Sequence, residues 1–382
     1  MHKERILFIL HLPPPVHGAG VVGKQIRDSL LINQSFDTDY INLSTSNTIS
    51  SVEKLNFHKL VALLSIAFKI LSHLIRKNYD LCYMTLTTSG PGFYKDLFIV
   101  ALLKLFRKRI IYHFHNKGVK EHNHYLNKWL YRFAFHNTCA IVLSPRLVPD
   151  LLHYFDKDHL YICPNGIPEL PSSGSRPGNK QDGGGSAEPV RFLFLSNMLE
   201  EKGVFVLLEA CRLLRNSTRT PFTCTFAGSW SDVTEEEFRG KVEEAGLTSC
   251  VKATGAVYGA DKEALFRQAD AFIFPTHYHN ECFPLVLLEA MQHRLPVIST
   301  FEGGIPDMVV EEQTGLLVPP RDPLALAGKL AELLGDASLR RKMGEAGYER
   351  YHEMYTIAEF EKQLHSILAK AAYRPAAQLY FM

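Results

Sequence analysis

The chain has 382 residues, of which 46% are hydrophobic and 21% are charged, and its formal net charge is +2. Because single hydrophobic cores stop growing at roughly 250 to 300 residues, this length predicts two domains, and the composition excludes a disordered chain and a multi-span membrane protein. Residues 1–168 contain 20 Lys and Arg against 11 Asp and Glu, whereas the remainder contains 22 against 29. The basic first half favours an anionic partner (nucleic acid, a phospholipid surface or a phosphorylated acceptor), and a well-solvated surface is the alternative.

The first residues lead directly into a short apolar run, and no export signal is visible there. The seven cysteines are odd in number, lie far apart and form no C-x-x-C pair. Such cysteines are typical of reduced thiols. We therefore expect a cytoplasmic protein.

Short apolar runs that fit buried strands recur through the first half of the chain, separated by helical stretches. They lie at 5–10, 39–43, 80–84, 109–114 and 140–143. This alternation predicts a parallel α/β sheet.

The segment 55–77 is apolar and basic, and it predicts an amphipathic helix. Lys69 and His73 interrupt its apolar run, which is too short for a membrane span. Two interpretations remain open: a helix that packs on the core, and a helix that lies on an anionic membrane surface.

Residues 171–189 are rich in Pro, Ser, Gly, Asn and Asp and have no hydrophobic period, which predicts a linker or loop. Strand signals resume at 190–195, 223–227, 271–274 and 296–299, and they predict a second α/β domain.

The predicted domains follow from this pattern. An amino-terminal domain covers 1–170, a carboxyl-terminal domain covers 190–355, and residues 356–382 form a helix that crosses back to the first domain.

A glycine-rich motif, Gly18-Ala-Gly-Val-Val-Gly23, matches the dinucleotide-binding and P-loop patterns only formally. Seven residues separate it from the preceding strand, and Gln25 stands where a P-loop needs Ser or Thr. The motif still predicts a glycine loop that presents backbone N–H groups to an anion, and a plain strand-to-helix turn is the alternative.

Several histidines suggest zinc, but their spacing lacks matching Cys or carboxylate ligands, so we expect no metal site. They are His113, His115, His122, His124, His277 and His279. His115 has a better role, because it follows a predicted strand at the edge where open α/β sheets bind ligands.

The most informative pattern is the pair Glu281 and Glu289, separated by seven residues that include Pro284. Proline suits the first turn of a helix, where unpaired N–H groups can hold a diphosphate or a sugar hydroxyl. Glu289 can accept from the vicinal hydroxyls of a ribose, while Glu281 can reach a sugar. The N–H groups concerned belong to Cys282, Phe283 and Leu285.

Beside this pattern stand four further motifs: Leu195-Ser-Asn-Met-Leu-Glu-Glu-Lys-Gly203, Ala227-Gly228, Gly303-Gly-Ile-Pro-Asp307 and Gly315-Leu-Leu-Val-Pro319. In this order they resemble the donor domain of glycosyltransferase family 4 (glycosyl transferases group 1), retaining enzymes of the GT-B fold. Three features of the first half resemble the acceptor domain of the same family: Pro13-Pro-Pro-Val-His-Gly-Ala19, His115 and Pro164-Asn-Gly-Ile167. The resemblance implies two Rossmann-like domains that face a cleft.

The resemblance also implies a role for each matching residue. His115 would lie beside the transferred sugar, Lys202 would hold the diphosphate, Glu281 the sugar hydroxyls and Glu289 the ribose. The implied catalytic residues are His115, Lys202 and Glu281. The implied substrate-binding residues are Gly18, Ala19, Gly20, Asn197, Lys202, Cys282, Phe283, Pro284, Leu285 and Glu289.

The chain departs from the family pattern at Asn197. Many members have a Gly-Arg pair where this chain has Ser196-Asn197, so a second cation for the diphosphate is missing. The negative charge would then be balanced mainly by Lys202 and a helix dipole.

The function implied is retaining, metal-independent transfer of a hexose-type sugar from a UDP- or GDP-sugar, with no other cofactor. The acceptor would be a glycan or a lipid-linked molecule in cell-surface polysaccharide synthesis. We expect no nucleic acid partner, and we expect a peripheral location on the inner face of the plasma membrane. The alternatives are a nucleotide-sugar epimerase or phosphorylase of the same fold, and a non-enzymatic nucleotide-sugar-binding protein.

Overall fold

The computed structural model describes residues 3–14, 18–44, 57–122, 124–170 and 188–373. The chain divides into two compact units, Met1–Asn165 with Ile357–Met382, and Gly166–Thr356. Most of the predicted linker, 171–187, lies outside the described residues.

A six-stranded parallel sheet forms the centre of the first unit. Its strands are β1 (Arg5–Leu10), β2 (Asp37–Asn42), β3 (Leu81–Thr85), β4 (Ile110–His113), β5 (Cys139–Val142) and β6 (Leu160–Ile162). Their order is β2-β1-β3-β4-β5-β6. The five predicted strands are confirmed within two residues at each end, and only the short edge strand β6 was not predicted.

Helices cover the two faces of this sheet. They are α1 (Gly18–Asp28), α2 (Leu30–Ser35), α3 (Phe57–Arg76), α4 (Gly90–Leu105) and α5 (Tyr125–Phe135). The connections through α3, α4 and α5 all step in one direction across the sheet, whereas the connection through α1 and α2 steps the other way. Since parallel crossovers are right-handed, α3, α4 and α5 share one face and α1 and α2 lie on the other.

Helix α3 covers most of the predicted amphipathic segment 55–77. Ile66, Ile70 and Leu74 are buried at helical spacing, as a core-packing helix requires. Leu64 and Phe68 are exposed on another side of the same helix. Among the residues that the structure describes, no helix is long and apolar enough to cross a bilayer.

The second unit has a six-stranded parallel sheet of its own. Its strands are β7 (Val190–Leu195), β8 (Phe222–Ala227), β9 (Val251–Ala253), β10 (Ala271–Phe274), β11 (Val297–Thr300) and β12 (Gly315–Val318). Their order is β12-β11-β10-β7-β8-β9. The four predicted strands are confirmed, and the edge strands β9 and β12 were not predicted.

Seven helices belong to this second unit within the described residues. They are α6 (Val204–Ser217), α7 (Glu235–Glu244), α8 (Gly259–Gln268), α9 (Leu285–Gln292), α10 (Ile305–Met308), α11 (Pro323–Gly335) and α12 (Ala337–Met354).

All seven cysteines of the chain are free thiols, and six of them are buried.

The last helix, α13 (Ile357–Ala372), packs against α2 and belongs to the first unit. The ring of His365 lies 5.3 Å from that of Phe36. Arg109 donates hydrogen bonds to the carbonyl oxygens of Ala372 and Tyr373, at 3.2 and 2.9 Å. The first unit is therefore built from two separate parts of the sequence.

Candidate active site

Three neighbouring strands of the second sheet, β7, β10 and β11, end at one edge. The segments that follow them begin at Ser196, Pro275 and Phe301. Parallel α/β sheets bind ligands at this carboxyl edge. Most of the residues predicted to bind the donor lie on these segments or just after them.

Lys202 and Glu281 form an ion pair at this edge. Lys202 Nζ lies 2.6 Å from Glu281 Oε2, and the two side chains are only 14% and 9% exposed. Thr276 Oγ1 donates to the same carboxylate oxygen at 3.3 Å. The ammonium also lies 4.3 Å from the centroid of the Tyr278 ring, within cation–π range. The pair is therefore held from several sides, and both of its charged groups are largely shielded from water.

Two glycines allow the backbone to approach closely around this pair. Gly203, directly after Lys202, has φ = 87°, and a Cβ there would lie 2.2 Å from the carbonyl oxygen of Pro275. Gly303 has φ = 53°, and a Cβ there would lie 2.0 Å from the carbonyl oxygen of Glu281. A larger residue would displace the segments that carry the ion pair.

Helix α9 starts directly after the predicted binding segment. The sequence placed Pro284 in the first turn, but the structure places it at the N-cap position, with φ = −69°. The helix begins at Leu285, so the prediction was wrong by one residue. Cys282, Phe283 and Pro284 are buried, and Leu285 is half-buried. The first N–H groups of α9 have no acceptor within the helix, and its dipole favours an anion at this end.

Glu289, on the second turn of α9, forms a second ion pair. Its Oε1 lies 2.6 Å from Lys262 Nζ, and both side chains are about a quarter exposed. Lys262 was not among the predicted site residues. Lys262 lies near the amino-terminal end of α8, where the helix dipole disfavours a cation. That unfavourable position could have indicated that Lys262 pairs with a carboxylate.

Asn197 lies at the end of β7 and is exposed. The adjacent Ser196 donates its N–H to the carbonyl oxygen of Ala227 at 3.0 Å. A Cβ on Gly228 would lie 1.6 Å from the carbonyl oxygen of Ser196, so this approach requires glycine. Asn197 thus reaches the same edge as Lys202 and can donate only a neutral hydrogen bond there.

His277 follows Thr276 at this edge, and the sequence suggested only a metal-binding role for it. The backbone N–H of His277 donates to the carbonyl oxygen of Glu201 at 2.7 Å. Burial lowers the pKa of His277, and the Arg321 guanidinium lowers this pKa to a smaller extent. The imidazole is therefore neutral at pH 7. Among the described residues, no three His, Cys, Asp or Glu side chains come together where they could hold a metal ion.

In the first unit, Gly18, Ala19 and Gly20 form the first turn of α1 rather than a loop. This corrects the predicted loop, although the N–H groups of a first turn have the same anion-binding property. A Cβ on Gly23 would lie 2.0 Å from the carbonyl oxygen of His11. Gly23 therefore serves the packing of α1 against the end of β1.

His115 follows β4 at the carboxyl edge of the first sheet and is half-buried. Its ring lies 4.3 Å from that of His113. His113 is fully buried, and its Nδ1 lies 2.5 Å from the Tyr83 hydroxyl. The pKa of His113 lies well below its usual value, mainly because the ring is buried and to a smaller extent because His115 is close to it.

The carboxylate of Asp150 fixes the loop after His115. It accepts the N–H groups of Gly118, Val119 and Lys120 at 2.9, 3.1 and 2.7 Å. Asp150 was not among the predicted residues, because a loop-binding carboxylate has no local sequence pattern.

Each unit thus gathers part of the predicted set. Lys202 and Glu281 are in contact, Glu289 pairs with Lys262, and Asn197 lies at the same edge of the second sheet. Gly18 and His115 belong to the first unit.

Solved structures share this architecture over nearly the whole chain. Sucrose-phosphate synthase from Thermosynechococcus elongatus is 20% identical, with a TM-score of 0.71 over 96% of this chain and 99% of that one. Anabaena HepE, solved in complex with UDP-glucose, is 17% identical, with a TM-score of 0.68 over 97% of this chain and 100% of that one. The two parallel six-stranded sheets define the fold as GT-B.

The family model for glycosyl transferases group 1 matches residues 176–350. The matched region lies within the second unit.

Curated relatives align over shorter segments. Amylovoran biosynthesis glycosyltransferase AmsK from Erwinia amylovora is 32% identical over 150 residues, which are 38% of this chain and 36% of that protein. D-inositol 3-phosphate glycosyltransferase from Corynebacterium diphtheriae is 28% identical over 247 residues, which are 62% of this chain and 57% of that protein. The aligned part of the chain thus spans between about a third and three fifths of the length of these relatives.

Proposed function

We propose that the protein is a retaining, metal-independent glycosyltransferase. It transfers a hexose-type sugar from a UDP- or GDP-sugar to a glycan or lipid-linked acceptor in cell-surface polysaccharide synthesis. The observation that carries this proposal is the shielded Lys202–Glu281 pair, held by Thr276 at the edge where α9 begins.

Lys202 is suited to stabilise a leaving diphosphate. An ammonium has three N–H donors, and Glu281 occupies one of them, so the group can still donate to phosphate oxygens. Its 14% exposure means that little water screens the charge that develops as the sugar–phosphate bond breaks. The first N–H groups of α9 add positive potential without a metal ion.

Glu281 has two effects in this proposal. In the free protein its carboxylate neutralises Lys202, and with a donor bound it accepts hydrogen bonds from the sugar hydroxyls. Thr276 and the close approach of Gly303 fix the position of this carboxylate. A preorganised acceptor loses little free energy in orienting a sugar.

Glu289 is proposed to bind the ribose through the carboxylate oxygen that Lys262 does not contact. The ion pair restricts the rotamers of Glu289 before a nucleotide arrives. Lys262 is then a positioning residue for the nucleoside.

The names of relatives support the class of acceptor. AmsK is named for amylovoran biosynthesis, and another relative, from Escherichia coli, is named O-antigen chain mannosyltransferase C. HepE was solved with UDP-glucose. These names concern those proteins, and they motivate the choice of UDP- and GDP-sugars for the first experiment.

The first experiment measures thermal stabilisation by a panel of UDP-sugars and GDP-sugars, with free UDP and GDP as controls. A ligand at about 100 times its Kd stabilises the native state by about 2.7 kcal/mol. One nucleotide series should stabilise the wild type, and the shift should shrink in Lys202→Ala. No shift with any member would contradict the proposal. Turnover of the donor without an acceptor would favour the epimerase or phosphorylase alternative.

Retention is tested by NMR on the product. The anomeric proton coupling of the transferred sugar should match that of the donor in the first product formed. An inverted anomer would contradict the proposed stereochemistry.

Chelation tests the proposed metal independence. Activity should be unchanged after EDTA treatment, because Lys202 and the helix dipole supply the positive charge. Loss of activity that Mn²⁺ restores would overturn this part of the proposal.

A further inference from the structure

Helices α3, α4 and α5 form one outer layer of the first unit. Helix α3 packs against α4, and α4 packs against α5. Lys108, after α4, donates to Asn78 Oδ1, after α3, at 2.6 Å. Helices α1 and α2 lie on the other side of the sheet, with α13 packed on α2. No described element of this unit is packed over the outer side of the three helices.

Each helix in this layer carries exposed apolar side chains along a single stripe. On α3 the stripe contains Val61, Leu64, Phe68 and Ile75, which are spaced three, four and seven residues apart. Phe68 is 71% exposed. These positions are distinct from the buried stripe of the same helix, so the exposed one is not needed for the core.

Helix α4 repeats this arrangement. Tyr94, Phe98 and Leu105 are exposed and lie four and seven residues apart. Phe93, Ile99 and Leu103, on the opposite side, are buried. The helix is therefore apolar all round, although only one side faces the core. Soluble helices normally carry polar residues on the exposed side.

Helix α5 carries the most exposed aromatic residues. Tyr125, Leu126, Trp129 and Phe133 are exposed, and the rings of Trp129 and Phe133 stack at 6.3 Å. Tyr125 is 92% exposed and Trp129 is 64% exposed. Tyrosine and tryptophan have amphipathic rings that suit the headgroup level of a bilayer.

Contacts at both ends join α4 and α5 into one continuous surface. Tyr94 donates its hydroxyl to Asn127 Oδ1 at 3.1 Å. Lys104 donates to the carbonyl oxygen of His136 at 2.7 Å, and its Nζ lies 5.7 Å from the centroid of the Phe133 ring. The exposed aromatic residues are thus neighbours rather than scattered single side chains.

The charge on this layer has one sign. The sequences of the three helices contain a single carboxylate, Asp96, and it is fully buried. Lys69, Arg76, Lys128 and Arg132 are exposed on the same helices. Helices that combine exposed apolar stripes with basic residues, and that carry no exposed acid of their own, are complementary to an anionic lipid surface.

We propose that the outer side of α3, α4 and α5 docks on an anionic lipid bilayer. The aromatic residues insert at the headgroup level, and the lysines and arginines pair with lipid phosphates. This surface, called the lipid face below, is represented by Phe68, Phe98, Trp129, Lys128 and Arg132. It deepens the lipid-linked acceptor of the proposed function by bringing the protein to the membrane that holds such a molecule. It can be tested without any donor sugar.

The test is co-sedimentation with vesicles of phosphatidylcholine alone and of phosphatidylcholine with phosphatidylglycerol. The wild type should sediment with the anionic vesicles at low ionic strength and dissociate at about 1 M salt, where the Debye length is about 3 Å. It should sediment poorly with the neutral vesicles. Binding that ignores lipid charge, or no binding at low salt, would overturn the proposal.

Matched charge variants locate the surface. Lys128→Ser/Arg132→Ser should weaken binding about 25-fold, because each basic residue near an anionic surface contributes about five-fold. Lys362→Ser/Lys370→Ser removes the same charge from exposed positions of α13, outside the three-helix layer, and should bind like the wild type. Equal losses in the two pairs would assign binding to net charge alone and would contradict a lipid face.

Apolar variants test insertion. Phe98→Ser and Trp129→Ser should each weaken binding about ten-fold, since each removes a large apolar side chain from the bilayer contact. Leu30→Ser, at a residue of α2 that is 74% exposed, is the control. All of these positions are exposed, so thermal stability should stay near the wild type. A dimer that Phe98→Ser and Trp129→Ser dissociate, together with no vesicle binding, would assign the face to a second copy of the chain.

Fluorescence reports the same contact directly. The chain has two tryptophans, so Trp230→Phe leaves Trp129 as the only one. Its emission should shift to shorter wavelength when anionic vesicles are added, because the indole leaves water. If the protein sediments with the vesicles but the Trp129 emission does not change, the contact lies elsewhere on the protein. Nucleotide-sugar stabilisation needs no vesicles, so failure of the lipid face and failure of the proposed enzyme remain distinguishable.

Discussion

The two units have the same type of sheet but use their surfaces in different ways. The second unit concentrates ion pairs at one sheet edge, where Lys202 pairs with Glu281 and, along α9, Glu289 pairs with Lys262. The first unit has three adjacent helices with exposed aromatic residues and no exposed carboxylate. The family model matches the second unit and stops short of the first.

This contrast indicates which physical requirements produce a sequence pattern that a family model can detect. The proposed site for a diphosphate and a ribose would require particular charged groups and glycines at fixed positions, and such requirements produce a recognisable pattern. The core of the first unit rests largely on buried strands and apolar contacts, which many sequences satisfy. Solved structures that are 20% identical or less still cover both units. The fold of the first unit is thus shared more widely than its sequence.

The largest expected effect is that of Lys202→Ala on turnover. Removing one preorganised electrostatic donor typically costs about 10² to 10³ in kcat. Steady-state kinetics measure this loss, and circular dichroism checks that the fold is intact. Lys252→Ala removes an exposed lysine from β9 in the same unit and should have no such effect. A Lys202 variant within a few-fold of the wild type would assign leaving-group stabilisation to the helix alone.

A smaller effect should separate the two glutamates. Glu281→Gln should lower kcat about 10- to 100-fold, since a hydrogen bond to a charged group contributes about 1.5 to 3 kcal/mol. It should not weaken nucleotide binding, because it removes the carboxylate that neutralises Lys202. Glu289→Gln should mainly raise KM for the donor, as a ribose contact is equal in the ground and transition states. Identical changes in kcat and KM would contradict the separate roles.

A glycine pair tests whether the edge of the second unit depends on close backbone approach. Gly303→Ala should destabilise the second unit by about 1 to 3 kcal/mol, because φ = 53° and the Glu281 carbonyl both disfavour a Cβ. Gly328→Ala, in α11 with no atom near its Cβ, should be neutral or stabilising by up to about 1 kcal/mol. Chemical denaturation compares the two. A Gly303 variant as stable as the Gly328 variant would show that the loops can relax.

The smallest expected effect concerns the first unit and its buried His113. Its pKa is well below the usual value in the folded state, so it stays neutral as the pH falls. The unfolded chain takes up a proton below about pH 6.5, and stability therefore falls by up to about 1.4 kcal/mol per pH unit.

The measurement is urea unfolding followed by Trp129 fluorescence in Trp230→Phe, with and without His113→Gln. The stability difference between the two proteins should shrink between about pH 7.5 and 5.5, because only the histidine protein carries this titration. A constant difference would show that another group controls the acid sensitivity.

The sequence predicted the central strands because they are continuous apolar runs with both faces buried. The three strands that it missed, β6, β9 and β12, all lie at a sheet edge, and β6 and β9 have only three residues. Lys202 and Glu281 were both predicted as site residues, but their contact joins residues 79 positions apart and could be seen only in the fold. Lys262 and Tyr278 were missed because their roles depend on a partner from another loop or helix.

The origin of α13 affects the order in which the protein can fold during synthesis. Domains generally fold as units, with the amino-terminal one first. Here Arg109 contacts the end of α13, and His365 packs on Phe36, so the first unit can complete its packing only after Ala372 leaves the ribosome. The second unit lies within Gly166–Thr356 and emerges whole before that point. The domain that is translated first is therefore the one that is finished last, and its early strands must remain soluble while the other domain forms.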